Sequence, residues 1–322
     1  MNYGRVFISG GAGFIGGHLV NRLLTQAEAD VVVVYDNFSS GQQWHLAPHS
    51  ADKRLRVVTG DIKALPCLTE AMAGCDVVFH LAANPDIAKA VTQPDIDFWE
   101  GTYLTQNILE AMRVNGVKQI FYTSGSGVYG ENPQVQFAES YGPCFPISTY
   151  GASKLACEAL ICSYCHMFEV KGLAFRFANV VGPRQTHGVG YDFVRRLQQE
   201  PTRLQILGDG SQSKSYIHVE DILAAVFTAA VRCDKKFDVF NVATDDYLTV
   251  KEIADLAVVE CGLNTAQVRY EFTGGDRGWK GDVPIVRFDV SRIHALGWQA
   301  ARNSHEAVRD AIRAMRQEIA RQ

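Results

Sequence analysis

The chain has 322 residues, with 31 Lys and Arg against 35 Asp and Glu and a net charge of −4. That length suits one large α/β unit or two small domains, and the slightly acidic balance leaves no basic footprint for nucleic acid. No apolar run approaches the ~18 residues that span a bilayer, and a strand-like run begins at Arg5, leaving no room for a signal peptide; the expectation is a cytoplasmic protein with no membrane partner.

The first element is Arg5-Val6-Phe7-Ile8-Ser9, a strand predicted over 6–9. It enters Gly10-Gly11-Ala12-Gly13-Phe14-Ile15-Gly16 and then a helical pattern over 14–26. Gly10, Gly13 and Gly16 fit G-x-x-G-x-x-G, and Gly11, Gly13 and Gly16 also fit G-x-G-x-x-G. Such glycines permit a tight turn and a close backbone approach to a pyrophosphate at the helix N-terminus. The run Val31-Val32-Val33-Val34-Tyr35 reads as a buried parallel strand. Asp36 closes it about twenty residues after Gly16, where a carboxylate accepts adenosine ribose hydroxyls. Asp36 would repel a 2′-phosphate, so the expected cofactor is NAD rather than NADP. A glycine-rich turn that binds nothing is the bland alternative, and the complete strand–turn–helix–strand–acid order argues against it.

Further strands are predicted over 55–58, 77–80, 120–123 and 173–177, with helices over 65–73, 95–115 and 148–168. This alternation is the pattern of a parallel sheet with crossover helices. After about residue 180 the elements shorten and glycines punctuate them. Phe240-Asn241-Val242 is placed to return one strand to the main sheet, and 304–322 reads as an amphipathic terminal helix. The expected fold is therefore α/β: a doubly wound, Rossmann-type parallel sheet over 1–178, with a return near 238–244. A smaller mixed α/β substrate-binding region follows over 179–322.

Within the helix over 148–168 lies Tyr150-Gly151-Ala152-Ser153-Lys154. Residues four apart on a helix share a face, and an ammonium there favours the phenolate, drawing the tyrosine down from its usual value near ~10. Tyr150 is thus a proton acceptor for a sugar or alcohol hydroxyl. Most Y-x-x-x-K pairs are solvated helix surface; the independent dinucleotide signal lifts this one. The 8 cysteines show no disulfide rhythm and are expected to be reduced. Cys162-Ser163-Tyr164-Cys165-His166 has the C-x-x-C-H form of haem attachment. It falls mid-helix, however, where small half-buried residues are the plainer reading. No metal ligand set is expected, since no second pair of ligands has suitable spacing.

With these residues in hand, the chain resembles the extended short-chain dehydrogenase/reductases, specifically the nucleotide-sugar epimerase/dehydratase family. The likeness runs nearly the full length through ordered motifs. They include Gly60-Asp61-Ile62, His80-Leu81-Ala82-Ala83, Val128-Tyr129-Gly130, Arg176-Phe177-Ala178-Asn179, Gly208-Asp209-Gly210, Tyr216-Ile217-His218-Val219 and Gly281-Asp282. The resemblance implies that Phe14 and Ile15 contact the pyrophosphate and that Asp36, Asn37, Phe38, Ser39, Ser40 and Gly41 wrap the adenosine ribose. It implies that Asp61 and Ile62 flank the adenine and that Leu81, Ala82 and Ala83 line the path to the nicotinamide. Tyr150 and Lys154 would be catalytic, Lys154 also holding the nicotinamide ribose. Asn179, Lys214, Tyr216 and Arg277 would meet the nucleotide-sugar diphosphate. Lys214 stands where the family usually has Arg, so it neutralises without a bidentate clamp.

Two departures stand out. The family's substrate-bonding Ser or Thr corresponds to Gly125, leaving Ser124, Ser126 or a water to supply the hydroxyl. A cofactor-binding Asn of the middle helix corresponds to Gly101. The resemblance implies a UDP-sugar 4-epimerase working through a transient ketone. An acidic pair usual in 4,6-dehydratases is replaced by Ser126-Gly127, and Gly127 also stands where decarboxylases carry Glu. A C2 epimerase, a 4-keto reductase and a non-catalytic NAD-binding protein stay open. The helices over 95–115 and 148–168 resemble those that pair in family homodimers, with Ile108, Leu109, Met112, Leu155, Leu160 and Ile161 as candidate contacts.

Overall fold

A computed structural model describes residues 1–319 and divides the chain into two compact units. The first comprises Met1–Val128, Ser148–Arg176 and Val226–Phe240; the second comprises Tyr129–Ile147, Phe177–Ala225 and the chain from Asn241 onward. The last three residues of the helix expected over 304–322 lie outside the described residues.

The first unit is built around most of a seven-stranded sheet, whose last two strands end in residues counted with the second unit. Its strands are β1 (Arg5–Ser9), β2 (Val31–Asp36), β3 (Leu55–Thr59), β4 (Val77–His80), β5 (Gln119–Gly125), β6 (Lys171–Phe177) and β7 (Phe237–Val242). They lie in the order β7-β6-β5-β4-β1-β2-β3. The pairings from β3 through β2, β1 and β4 to β5 are all parallel. The strand order reverses direction at β1, between β2 and β4, which is where open α/β sheets leave a crevice at their carboxyl ends. The glycine-rich turn leaves β1 at that point. β7 confirms the return strand expected from Phe240-Asn241-Val242.

Helices in this unit include α1 (Phe14–Thr25), α2 (Leu65–Ala71), α3 (Tyr103–Asn115) and α4 (Thr149–Met167). Alternate residues of a strand face opposite sides, and both sides are covered. Phe7, Val33, Val78, Ile120 and Tyr122 pack with Leu68, Leu104, Ile108, Met112, Cys157 and Ile161 of α2, α3 and α4. On the other face, Phe79 meets Phe227 with ring centroids 6.0 Å apart, and Arg22 of α1 lies 3.9 Å over the same Phe227 ring.

Two expectations are corrected here. The helix expected over 95–115 does not run regularly: a π-helical turn, Phe98–Thr102, precedes α3. Gly101 sits in that turn because a Cβ there would stand 2.3 Å from Ser153 Oγ. Ser153 in turn donates to the Asp97 carbonyl at 2.7 Å. The close approach of α4 accounts for a glycine that otherwise costs about 1 kcal/mol in a helix. Second, Ile108, Leu109, Met112 and Ile161 are fully buried in this core and offer nothing to a second chain. Helical spacing alone does not separate a core face from a partner face. Leu155 and Leu160 are half-buried, while Phe98 and Trp99 are exposed and meet edge to face in series with Tyr103.

The second unit has short strand pairs between helices. Asn179–Val181 pairs with Tyr216–His218, Arg203–Ile206 with Arg269–Phe272, and Gln136–Phe137 with Arg287–Phe288, all parallel. Ser213–Lys214 and Leu248–Thr249 pair antiparallel. Its core joins Phe193, Leu197, Ile253, Ala257, Ile312 and Met315 from three helices, α5 (Val189–Gln199), α6 (Val250–Glu260) and α7 (Ser304–Ile319). No described helix is long and apolar enough to cross a membrane.

Candidate active site

The glycine-rich turn closes only because side chains are missing from it. Gly10 adopts φ +73°, and a Cβ on Gly16 would stand 2.4 Å from the Gly10 carbonyl oxygen. A Cβ on Gly11 would meet both Val34 methyls inside 3.0 Å. Gly13 is the N-cap of α1 and brings no side chain to cover the first-turn N–H groups, so these remain for an anion. This bare helix end, cradled by glycines, fits a dinucleotide pyrophosphate.

Asp36 is buried at the end of β2, and its two oxygens accept the Ala12 and Phe38 N–H groups, each at 2.9 Å. It therefore ties the glycine turn to the 37–41 loop. A Cβ on Gly41 would stand 2.8 Å from this carboxylate. Asn37, Ser39 and Ser40 are exposed, and Phe38 holds φ +56°. Leu81 donates its N–H to the Ser9 carbonyl at 3.1 Å, and a Cβ on Gly10 would be 2.8 Å from the Ala82 nitrogen. The 81–83 segment thus lies against the turn. Asp61 is exposed, its carbonyl accepting from Tyr35 Oη at 3.1 Å. The Ile62 side chain instead packs in the core, its carbonyl accepting from Asn107 at 3.0 Å.

Tyr150 and Lys154 are brought together as the spacing expected. Lys154 Nζ lies 5.4 Å from the Tyr150 ring centroid and 5.0 Å from that of Tyr122, and it donates to the Thr123 carbonyl at 2.7 Å. Ser148 caps this helix, its side chain accepting from the Gly151 N–H. Ser124 is buried and donates to Glu158 Oε1 at 2.5 Å. Ser126 and Gly125 are partly exposed, and a Cβ built on Gly125 meets nothing within 4 Å.

His80 is fully buried, within 2.7 Å of Ser9 Oγ and 3.0 Å of Thr105 Oγ1. Burial, and secondarily the Lys154 charge, pushes its imidazole down to about 3. The unfolded chain binds that proton below roughly 6.5. More protons are then bound by the unfolded state than by the folded one between those values. Stability should fall as pH drops through that window, by up to about 1.4 kcal/mol per pH unit from this group. Denaturant unfolding of the parent and of His80→Asn at pH 7 and pH 5 checks it. The parent should lose more stability on acidification than the variant, and equal losses would refute the assignment.

In the second unit, Asn179 N–H donates to the Ser215 carbonyl at 3.2 Å. Tyr216 is buried beside it, and burial raises its phenol far above the usual value, against a hydrogen bond from Asn179. Lys214 pairs with Asp282 at 2.5 Å. Arg277 donates to both oxygens of Glu131, at 2.9 and 3.0 Å, and to the Asp282 carbonyl at 3.0 Å. Each cation assigned to the diphosphate thus carries a carboxylate partner, which spacing could not reveal. Sequence reasoning also passed over Glu158, although Tyr150, Lys154 and Glu158 recur every four residues.

A switch-point glycine turn, an acid closing β2 and a Tyr–Lys pair on α4 define a Rossmann-type, NAD-dependent protein of the extended short-chain dehydrogenase/reductase class. The sequence profile of the NAD dependent epimerase/dehydratase family matches residues 6–243, and the chain belongs to that family. It is 34% identical over 305 residues to the UDP-glucose 4-epimerase of Mycolicibacterium smegmatis, covering 92% of this chain and 93% of that protein. Among solved structures, a UDP-galactose 4-epimerase superposes with a TM-score of 0.85 at 35% identity, covering 98% of this chain and 99% of the other. A dTDP-glucose 4,6-dehydratase from Streptomyces venezuelae, solved with NAD bound, gives a TM-score of 0.89 at 27% identity, each chain covered to 98%. The chain is thus an NAD-dependent enzyme of the nucleotide-sugar epimerase type.

Proposed function

We propose that this enzyme inverts C4 of a UDP-sugar, with Tyr150 as the acid/base residue. The observation that carries the reading is the Lys154 ammonium held over the Tyr150 ring by the Thr123 carbonyl. Gly10, Gly13, Gly16 and Asp36 would hold NAD, which when bound would supply reversible hydride acceptance at C4. Tyr150 takes the O4 proton as the ketone forms and gives it back to the opposite epimer. Lys154 places its ammonium over the Tyr150 ring, 5.4 Å from its centroid, where it offsets negative charge on the ring oxygen. The family resemblance assigns Asn179, Lys214 and Arg277 to the diphosphate. The 4-epimerase names of the relatives at 34% and 35% identity support the choice of reaction. The test is a panel of UDP- and dTDP-sugars incubated with the purified enzyme without added cofactor, products resolved by NMR. Conversion of a UDP-hexose to its C4 epimer is expected. A 4-keto-6-deoxy product, or no product, would overturn the reading.

Gly125 bears on the rate. Open space at its Cβ leaves room for a hydroxyl where the family pattern has one. Gly125→Ser should therefore keep the parental melting temperature and raise turnover, by up to about 10²-fold where the hydroxyl reaches the reacting oxygen. A folded Gly125→Ser enzyme with slower turnover would contradict this.

The assembly we propose is a homodimer through α3 and α4. Exposed Phe98 and Trp99, with half-buried Leu155 and Leu160, supply the apolar surface. Light scattering at micromolar concentration should give twice the chain mass, and a monomer mass would refute it.

A further inference from the structure

We propose that Glu158, Arg176 and Ser124 are positioning residues for the catalytic pair: a buried clamp that sets the register of α4 on the sheet and so keeps Lys154 over Tyr150. The inference rests on the acid/base role proposed for Tyr150. Tyr150, Lys154 and Glu158 occupy successive turns of one face of α4, four residues apart. Consecutive residues of β5 hold two of those turns. The Thr123 carbonyl accepts from Lys154 Nζ at 2.7 Å, and Ser124 Oγ donates to Glu158 Oε1 at 2.5 Å. From β6, Arg176 donates through Nε to Oε1 at 3.0 Å and through a terminal nitrogen to Oε2 at 2.6 Å. All three side chains are at most 6% exposed.

A plainer role would be stability alone. Desolvation cancels most of what a buried ion pair gains, so apolar residues of similar volume would hold the fold as well. What apolar packing does not supply is direction. A bidentate guanidinium–carboxylate fork fixes both distance and orientation. Here it acts one helical turn from Lys154, where a misplacement of about 1 Å can cost about 10²-fold in rate.

Around the pair, Tyr122 of β5 lies under Lys154 with its ring centroid 5.0 Å from Nζ, the Lys154 charge acts on buried His80 of β4, and Asp97 accepts from Thr149, the neighbour of Tyr150, at 2.6 Å. Lys154 is the cation whose Nζ lies over the Tyr150 ring, 5.4 Å from its centroid.

The experiment replaces all three members together, Ser124→Ala, Glu158→Leu and Arg176→Met, so that neither charge of the pair is left behind. The full-length variant should fold and retain NAD. Its kcat should fall about 10- to 100-fold with KM within about threefold, since orientation rather than binding is lost. On a Tyr150→Phe background the same three substitutions should lower the residual kcat by less than about threefold, because the clamp acts through that residue. A folded triple variant with parental kcat, or an undiminished loss on the Tyr150→Phe background, would overturn the proposal. Should the triple variant not fold, Ser124→Ala alone should show the same kcat loss in smaller measure, with Ser124→Thr restoring it; a parental Ser124→Ala enzyme would then overturn it. Failure of the acid/base reading is distinct: Tyr150→Phe alone would then keep its turnover.

Discussion

Tyr150→Phe is expected to lower turnover by about 10³-fold while leaving NAD retention and the melting temperature near the parental values. The ring stays, so the packing against Lys154 is preserved; only the oxygen that carries the proton is removed. General acid–base groups contribute about 10²–10⁴-fold, and this one is asked to act in both halves of a reversible proton transfer. Steady-state epimerisation, with cofactor content read by absorbance after denaturation, checks the result. Turnover within a few-fold of the parent would remove Tyr150 from the chemistry. Lys154→Met should be slow as well, through two losses: the charge over the Tyr150 ring and the hydrogen bond to Thr123.

Gly16→Val should eliminate measurable NAD binding and lower the melting temperature by several degrees. A Cβ at this position would sit 2.4 Å from the Gly10 oxygen and 2.6 Å from the Gly11 Cα. Both are backbone atoms, so no side-chain rotation relieves the clash. The turn must open or α1 must move away from β1. Overpacking of this kind costs about 1–3 kcal/mol, a few degrees of melting temperature per kcal/mol for a chain of this class. Cofactor binding suffers more, because the first-turn N–H groups no longer converge on the pyrophosphate. Calorimetric titration with NAD and a thermal scan test both parts, and parental NAD affinity would show that the turn is not the cofactor cradle.

Local chemistry settled a great deal of this protein in advance. A buried apolar strand, a glycine turn, a helix and a second strand ending in Asp36 can be recognised because each element bears its own signature within about thirty residues. The Tyr150–Lys154 pair was legible for the same reason, since helical spacing alone places the two on one face. The alternation of strands and helices carried the doubly wound sheet, including its return strand at Phe240.

Other features depended on partners distant in sequence. Gly101 reads as a lost side chain until Ser153 is found against it. Ile108 and Ile161 read equally well as core or as interface until the sheet is seen to bury them. Ser124 offers a hydroxyl to any neighbour, and Glu158 takes it. Lys214 and Arg277 read as free cations until Asp282 and Glu131 come to them. The sequence by itself determined the elements, their order and the two motifs of the chemistry, because backbone geometry and periodicity are local properties. Only the tertiary structure decided which polar groups are paired and which apolar faces are covered, because burial and ion pairing join residues whose spacing along the chain follows no repeat.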